Sequence, residues 1–287
     1  MKDAILQPHP IPNKIPSTGL CLLHHLGCGL VVVAFVHFFG LYQLISERLG
    51  KEFIAVSPFL LPILLLAALF LARRTTSRQW PPLKRRPVLL GLCCCFVALA
   101  LPDPEIAVKR IHVVEYLLLS LYVRYTLSFR LAGIPLLIFS CLLAGLYGVH
   151  DELLQGLHPS RTYGLRDMLV NAVAALGGCL LWHGLAIFSR NSSDHRAENG
   201  SLSLGQGFYL AGLTISIPAM AVPLVVHRNE ALPFWPFLPL AAAMIVWSCF
   251  FIDDRSAHRP GILAVSVVAF VFLAYPLAVN VLEITFY

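Results

Sequence analysis

"LAGIPLLIFSCLLAGLYGVHDELLQGLHPSRTYGLRDMLVNAVAALGGCLLW", Leu131 to Trp182, sets two long apolar runs on either side of a dense polar segment. Each run is close to the ~20 apolar residues that a helix needs to cross a bilayer. The segment between them carries Asp151, Glu152, Arg161, Arg166 and Asp167. Two spans joined by a charged outer turn is the simplest reading.

The rest of the chain agrees. Its 287 residues are 58% hydrophobic and 13% charged, with a mean hydropathy of +0.77. A water-soluble domain carries roughly 25% charged residues, so a polytopic membrane protein is expected. Nine apolar segments can be read as spans: 20–45, 54–72, 88–102, 110–129, 131–150, 167–188, 208–227, 232–252 and 262–284. The expected fold is an all-α, polytopic transmembrane helical bundle. The first run is too long for a signal-peptide core and reads as an uncleaved span.

Lys and Arg concentrate on cytoplasmic loops. With the N-terminus inside, 14 of the 21 Lys and Arg fall on that side, led by "RRTTSRQWPPLKRRP" at 73–87. The segment after Asp151 then faces outward. The net charge of +6 is therefore an orientation signal. Neither a basic patch interleaved with aromatics nor a soluble domain is present to bind nucleic acid.

The chain divides into 1–87, with two spans and the basic loop; 88–188, with four spans; the polar linker 189–207; and 208–287, with three spans. Two Asn-x-Ser patterns, at Asn191 and Asn199, fall in the linker and read as chance on the cytoplasmic side.

The fourth span carries the chemistry. At ~100° per residue, Lys109, His112, Tyr116, Ser120 and Arg124 share an arc of about 120°, with Glu115 beside His112. Such a stripe cannot face lipid cheaply, because each charge at the midplane costs at least ~2.5 kcal/mol. The fifth span ends with Gly148, Asp151, Glu152 and Gln155 on one arc, His150 pointing away. The sixth opens with Asp167, suited to an N-cap or first-turn role, above Asn171, Ala174 and Gly178. The turn at 129–131 makes the fourth and fifth spans antiparallel neighbours. These polar ends therefore meet at one membrane level.

"KRIHVVEYLLLSLYVR" followed by "DELLQGLHPSRTYGLRDMLVN" resembles the signature of the VanZ-like membrane proteins. Lys109, His112, Glu115, Tyr116, Asp151, Glu152, Gln155, Pro159, Arg161, Asp167 and Asn171 match it, over roughly 88–188. Ala174 stands where the pattern has glycine, which shifts the expected close helix contact toward Gly177 or Gly178. The resemblance implies a four-helix core in a bacterial inner-membrane protein, and a link to teicoplanin-type glycopeptide resistance.

The expected ligand site is thus Lys109, His112, Glu115, Tyr116, Asp151, Glu152, Gln155, Arg161, Asp167 and Asn171. Lys109 and Arg161 would hold the phosphate or carboxylate of a membrane lipid or a lipid-linked cell-wall component. Asp151 and Glu152 would orient the cations or meet hydroxyls. The alternative is an acid–base enzyme, with His112 and Glu115 as a pair and Asp151 or Glu152 as second carboxylate. No cofactor and no metal site are expected, since no HExxH or similar ligand spacing occurs. "CLLHHLGC" puts Cys21, His24, His25 and Cys28 on one face of the first span. That face reads as interfacial, and the eight cysteines as small buried apolar residues. His183 reads as an interfacial residue, and Tyr209, "FWPF" at 234–237 and Trp247 as boundary anchors. Pro218, Pro223, Pro239 and Pro276 are expected to kink the last spans.

Overall fold

The computed structural model describes residues 17–75, 81–103, 106–189, 202–250 and 256–287. Most of the linker, with Asn191 and Asn199, and residues 76–80 of the basic loop lie outside the described residues.

Among the described residues the chain is helical, without a β-sheet. The helices are α1 (Thr18–Leu49), α2 (Lys51–Thr75), α3 (Arg85–Ala100), α4 (Ile111–Leu127), α5 (Gly133–Gly156), α6 (Leu165–Gly184), α7 (Leu204–Ala221), α8 (Leu238–Phe250), α9 (Arg259–Val271) and α10 (Ala274–Val281). Each expected apolar segment holds a helix among the described residues, and the ninth is split into α9 and α10. Pro276 explains the split: in one continuous helix its ring would strike the carbonyl four residues back, at Phe272. α7 starts four residues before 208, because Ser203 and Gln206 form a capping box at its head.

Among the described residues, five helical stretches are long and apolar enough to cross a membrane: Thr18–Phe38, Gly133–Gly156, Leu165–Gly184, Leu204–His227 and Arg259–Val281. The chain is therefore a membrane protein. α3, with 16 residues, spans ~24 Å against a hydrocarbon core of ~30 Å. α4 is 17 residues long and carries His112, Glu115 and Arg124. The surface supports lipid contact directly. Leu22, Leu23, Leu26 and Leu30 on α1, Ile63 and Leu64 on α2, and Phe250 and Val281 further on are all exposed. Water would not tolerate so much contiguous apolar surface.

α6 is the centre of the bundle, packed on α3, α4 and α5. Glycine makes two close approaches of α6 to its neighbours possible. A Cβ on Gly91 of α3 would stand 2.8 Å from the Gly177 carbonyl oxygen, and one on Gly178 would strike Ser120 Oγ of α4. These are the small-residue contacts expected near Gly177 and Gly178. Below them the indole of Trp182, fully buried, donates to Ser120 Oγ at 2.9 Å.

α1 and α2 form a hairpin around the single residue Gly50, whose φ of +86° favours glycine. Its N–H caps the Ser46 carbonyl. α1 leans on α4 and α5, and α9 packs on α5. His150 does point away from the acids beside it. It stacks on Phe272 at 3.8 Å and bonds to the Val268 carbonyl at 2.9 Å. The C-terminal residues run back under the α5–α6 loop. Phe286 is buried against Gly156, the Tyr287 N–H donates to the Gly156 carbonyl, and the Tyr163 N–H donates to the Tyr287 carbonyl at 2.9 Å.

Several expectations about single residues need correction. His183 is buried and meets Lys84 Nζ at 3.1 Å, because α3 folds over that face. Tyr209 anchors nothing at a boundary: it is buried and bonds to Ser266 Oγ at 2.7 Å. Cys93 and Cys249 are exposed, so the cysteines are not all buried. The Cys21–Cys28 face is a packing face. His24 bonds to Tyr122 at 3.2 Å and sits among Tyr125 and Phe129, and Cys28 lies 3.7 Å from Thr126 Oγ1.

Candidate functional site

The polar ends of α4, α5 and α6 meet at one level. A short 3-10 turn, Ala107–Arg110, leads into α4. It points Lys109 at Asp167, in the first turn of α6, with Nζ–Oδ2 at 2.5 Å. Asp167 thus takes the first-turn role, and Gly164 is the N-cap. Arg110 turns the other way, donating to the Leu99 carbonyl and lying over the Phe59 ring. In the first turn of α4, His112 Nδ1 lies 2.9 Å from Glu115 Oε2 and 3.9 Å from Asp151 Oδ2. The i,i+3 spacing places the two α4 side chains on one face.

α5 contributes the acids behind this pair. Asp151 and Glu152 are fully buried. Asn171 of α6 donates to Asp151 Oδ2 at 3.3 Å and to Glu152 Oε1 at 3.4 Å. Glu152 Oε2 accepts from the Gly164 N–H at 3.1 Å, tying the end of α5 to the start of α6. Gly148 allows this approach: a Cβ there would come within 2.9 Å of Asn171 Cβ. In the intervening loop, Arg161 donates through Nε and Nη2 to Gln155 Oε1, at 3.2 and 2.5 Å. The Tyr116 hydroxyl donates to the Tyr147 carbonyl at 3.1 Å, locking α4 to α5. Arg166 leaves the cluster and binds the end of α3 through the Leu101 carbonyl and Asp103.

A cavity of about 510 Å³ opens on this cluster. Its polar floor includes Lys109, His112, Glu115, Gln155, Arg161 and Asp167, with Ser160 and Thr162 at the rim. Its walls are apolar: Phe35, Phe38 and Leu41 from α1, and Phe53, Ile54 and Leu61 from α2. The volume lies in the range of small-molecule sites, ~300–1,000 Å³.

All ten expected site residues therefore belong to one cluster, but in two layers. Six border the cavity. Tyr116, Asp151, Glu152 and Asn171 stand behind them and do not line it. Asp151 and Glu152, expected to orient the cations or meet ligand hydroxyls, are held from behind the lining by Asn171, the Gly164 N–H and His112. Three buried oxygens, Asp151 Oδ1, Asp167 Oδ1 and Asn171 Oδ1, have no hydrogen-bond partner among the described residues.

At the far end of α4, Arg124 plays a different part. It is fully buried and donates through Nε to the Ile187 carbonyl at 2.8 Å, closing the turn after α6. The polar stripe of α4 thus serves two ends: a site above, and a helix stop below.

The apolar walls were missed in the sequence. Phe35, Phe38, Tyr42 and Ile45 recur at helical spacing and all border the cavity, but α1 is apolar all round, so no face stands out.

No family model matches this chain, and neither the curated proteins nor the solved structures include one that matches it.

Proposed function

We propose that this chain is a nine-span, VanZ-like protein of the bacterial inner membrane that binds a polar lipid, or a lipid-linked cell-envelope component, at its outer leaflet. The α3–α6 unit is the VanZ-like core. α2, α3, α4 and α8 count as spans because each is flanked by polar turns. The inward-facing charges of α4 lower its hydropathy without exposing it to lipid. The excess of Lys and Arg on the opposite loops supports an N-terminus in the cytoplasm and a site facing outward. Through this site the protein affects susceptibility to teicoplanin-type glycopeptides.

One observation carries the reading. A single cavity has a charged floor and an apolar wall. That is the division of an amphiphile: a head group against Lys109 and Arg161, and a chain along α1 and α2. A purely structural charge network would need no such opening.

Lipid retained through purification tests it. Leu61→Trp fills the apolar wall, and Arg161→Ala removes a charge-assisted donor. Each is expected to cut the retained lipid, counted by mass spectrometry, at least about tenfold. Wild-type lipid content in both variants would refute the reading.

A catalytic reading rests on one geometric fact. Glu115 engages Nδ1 of His112, which leaves Nε2 as the nitrogen available to a substrate. This pairing is how a carboxylate orients a general base. Turnover of a lipid-linked substrate that disappears in His112→Ala, while lipid retention persists, would favour it over binding alone.

A further inference from the structure

We infer that the head group bound in this cavity is zwitterionic, carrying a primary ammonium as well as a phosphate. The inference rests on the amphiphile reading above and adds the class of ligand.

Charge is the first argument. The floor presents two permanent cations, Lys109 and Arg161, and two carboxylates, Glu115 and Asp167. Asp151 and Glu152 stand directly behind, with no further Lys or Arg among the residues that line the cavity. The lining thus holds as many carboxylates as Lys and Arg, with His112 between them, so an anion with no positive group would leave Glu115 and Asp167 facing it without a counter-charge. Like-charge contact of this kind is unfavourable at an interface. A head group with both signs matches the alternation of the floor.

Hydrogen bonding is the second argument, and it is independent. Asp167 is 3% exposed and borders the cavity. Its Oδ2 is taken by Lys109, while Oδ1 is buried and has no donor among the described residues. Buried carboxylate oxygens are rarely left without a donor, because the desolvation penalty then goes unmet. The floor therefore calls for donors. A primary ammonium brings three N–H groups. In this arrangement the ammonium lies against Asp167 and Glu115. The phosphate accepts from Lys109 and Arg161, where a guanidinium can bind it in two-point fashion. The acyl chains follow Phe38, Phe53 and Leu61.

The test uses the full-length protein in detergent, titrated with phosphatidylethanolamine and with phosphatidylglycerol of identical chains. Native mass spectrometry reads the bound fractions. Phosphatidylethanolamine is expected to bind about tenfold more tightly, the worth of one charge-assisted hydrogen bond. Glu115→Gln and Asp167→Asn should each erase most of that preference, while Arg161→Ala should weaken both lipids together. The ratio is measured within one folded sample, so an unstable variant does not confuse it. Equal or tighter binding of phosphatidylglycerol, or a preference unchanged in both acid variants, overturns the zwitterion and leaves the amphiphile site standing. Binding of both lipids that Leu61→Trp does not disturb overturns the amphiphile reading itself.

Discussion

Replacing Gly91 with valine is expected to abolish the folded bundle. The first atom of the new side chain would stand 2.8 Å from the Gly177 carbonyl oxygen, 2.8 Å from Leu181 Cγ and 2.9 Å from the Leu181 nitrogen. Two of those neighbours are backbone of α6, which cannot rotate aside. α6 would have to move away from α3. It also carries Asp167 and Asn171 and supports Ser120 through Trp182, so the movement would reach the site. Overpacking a well-filled core costs ~1–3 kcal/mol and sometimes more. Two backbone obstacles on α6 put this case at about 3 kcal/mol or above. Gly212→Val on α7 is the control, since a Cβ there meets nothing within 4 Å. The propensity cost is shared, so the packing term is the difference. Thermal denaturation in detergent should show Gly91→Val aggregated or unfolded and Gly212→Val near wild type. Similar melting of the two would mean that α3 and α6 do not pack this way.

The second large effect is expected at Glu152. This fully buried carboxylate accepts from the Gly164 N–H, from Asn171 and from Gln155. Glu152→Ala leaves all three donors without it. Leaving buried amide donors unsatisfied costs roughly 1–3 kcal/mol each, and the cavity left by the side chain adds to it. The damage is also directional. Gln155 holds Arg161, and Gly164 heads α6, so the alanine variant should lose both thermal stability and retained lipid. Glu152→Gln keeps the volume and one acceptor for Gly164, but it turns an amide toward two other amide donors. It should remain folded and bind lipid more weakly. An alanine variant with wild-type melting and wild-type lipid content would show that Glu152 does not organise the site.

The two halves of this account were not equally legible beforehand. Hydropathy located the helices, because a segment that must satisfy its backbone inside a bilayer has little choice but to be helical. The charged face of α4 was legible for the converse reason: Lys109, His112, Tyr116 and Arg124 could not face lipid. Their common stripe did not reveal that Arg124 would serve a helix end far from Lys109. The two-layer order of the site was also hidden. Asp151 and Glu152 are adjacent in sequence to His150, and only the packing of α6 decides that they stand behind His112. Tyr209 and His183 were misplaced because an amphipathic side chain at a span end fits a membrane boundary or a buried hydrogen bond equally well. The Ser203–Gln206 capping box could have been read in advance and would have placed the start of α7. The docking of Phe286 on Gly156 had no local signal, since it joins segments far apart in the chain.

The central claim is that α1 and α2 complete a lipid-binding cavity over the charged ends of α4, α5 and α6. A density map of the protein in lipid nanodiscs tests it most directly. The account predicts elongated density with its head between Lys109 and Arg161 and its tail between Phe38 and Leu61. A cavity closed by the aromatic side chains of α1 and α2, or one holding only water, would contradict it.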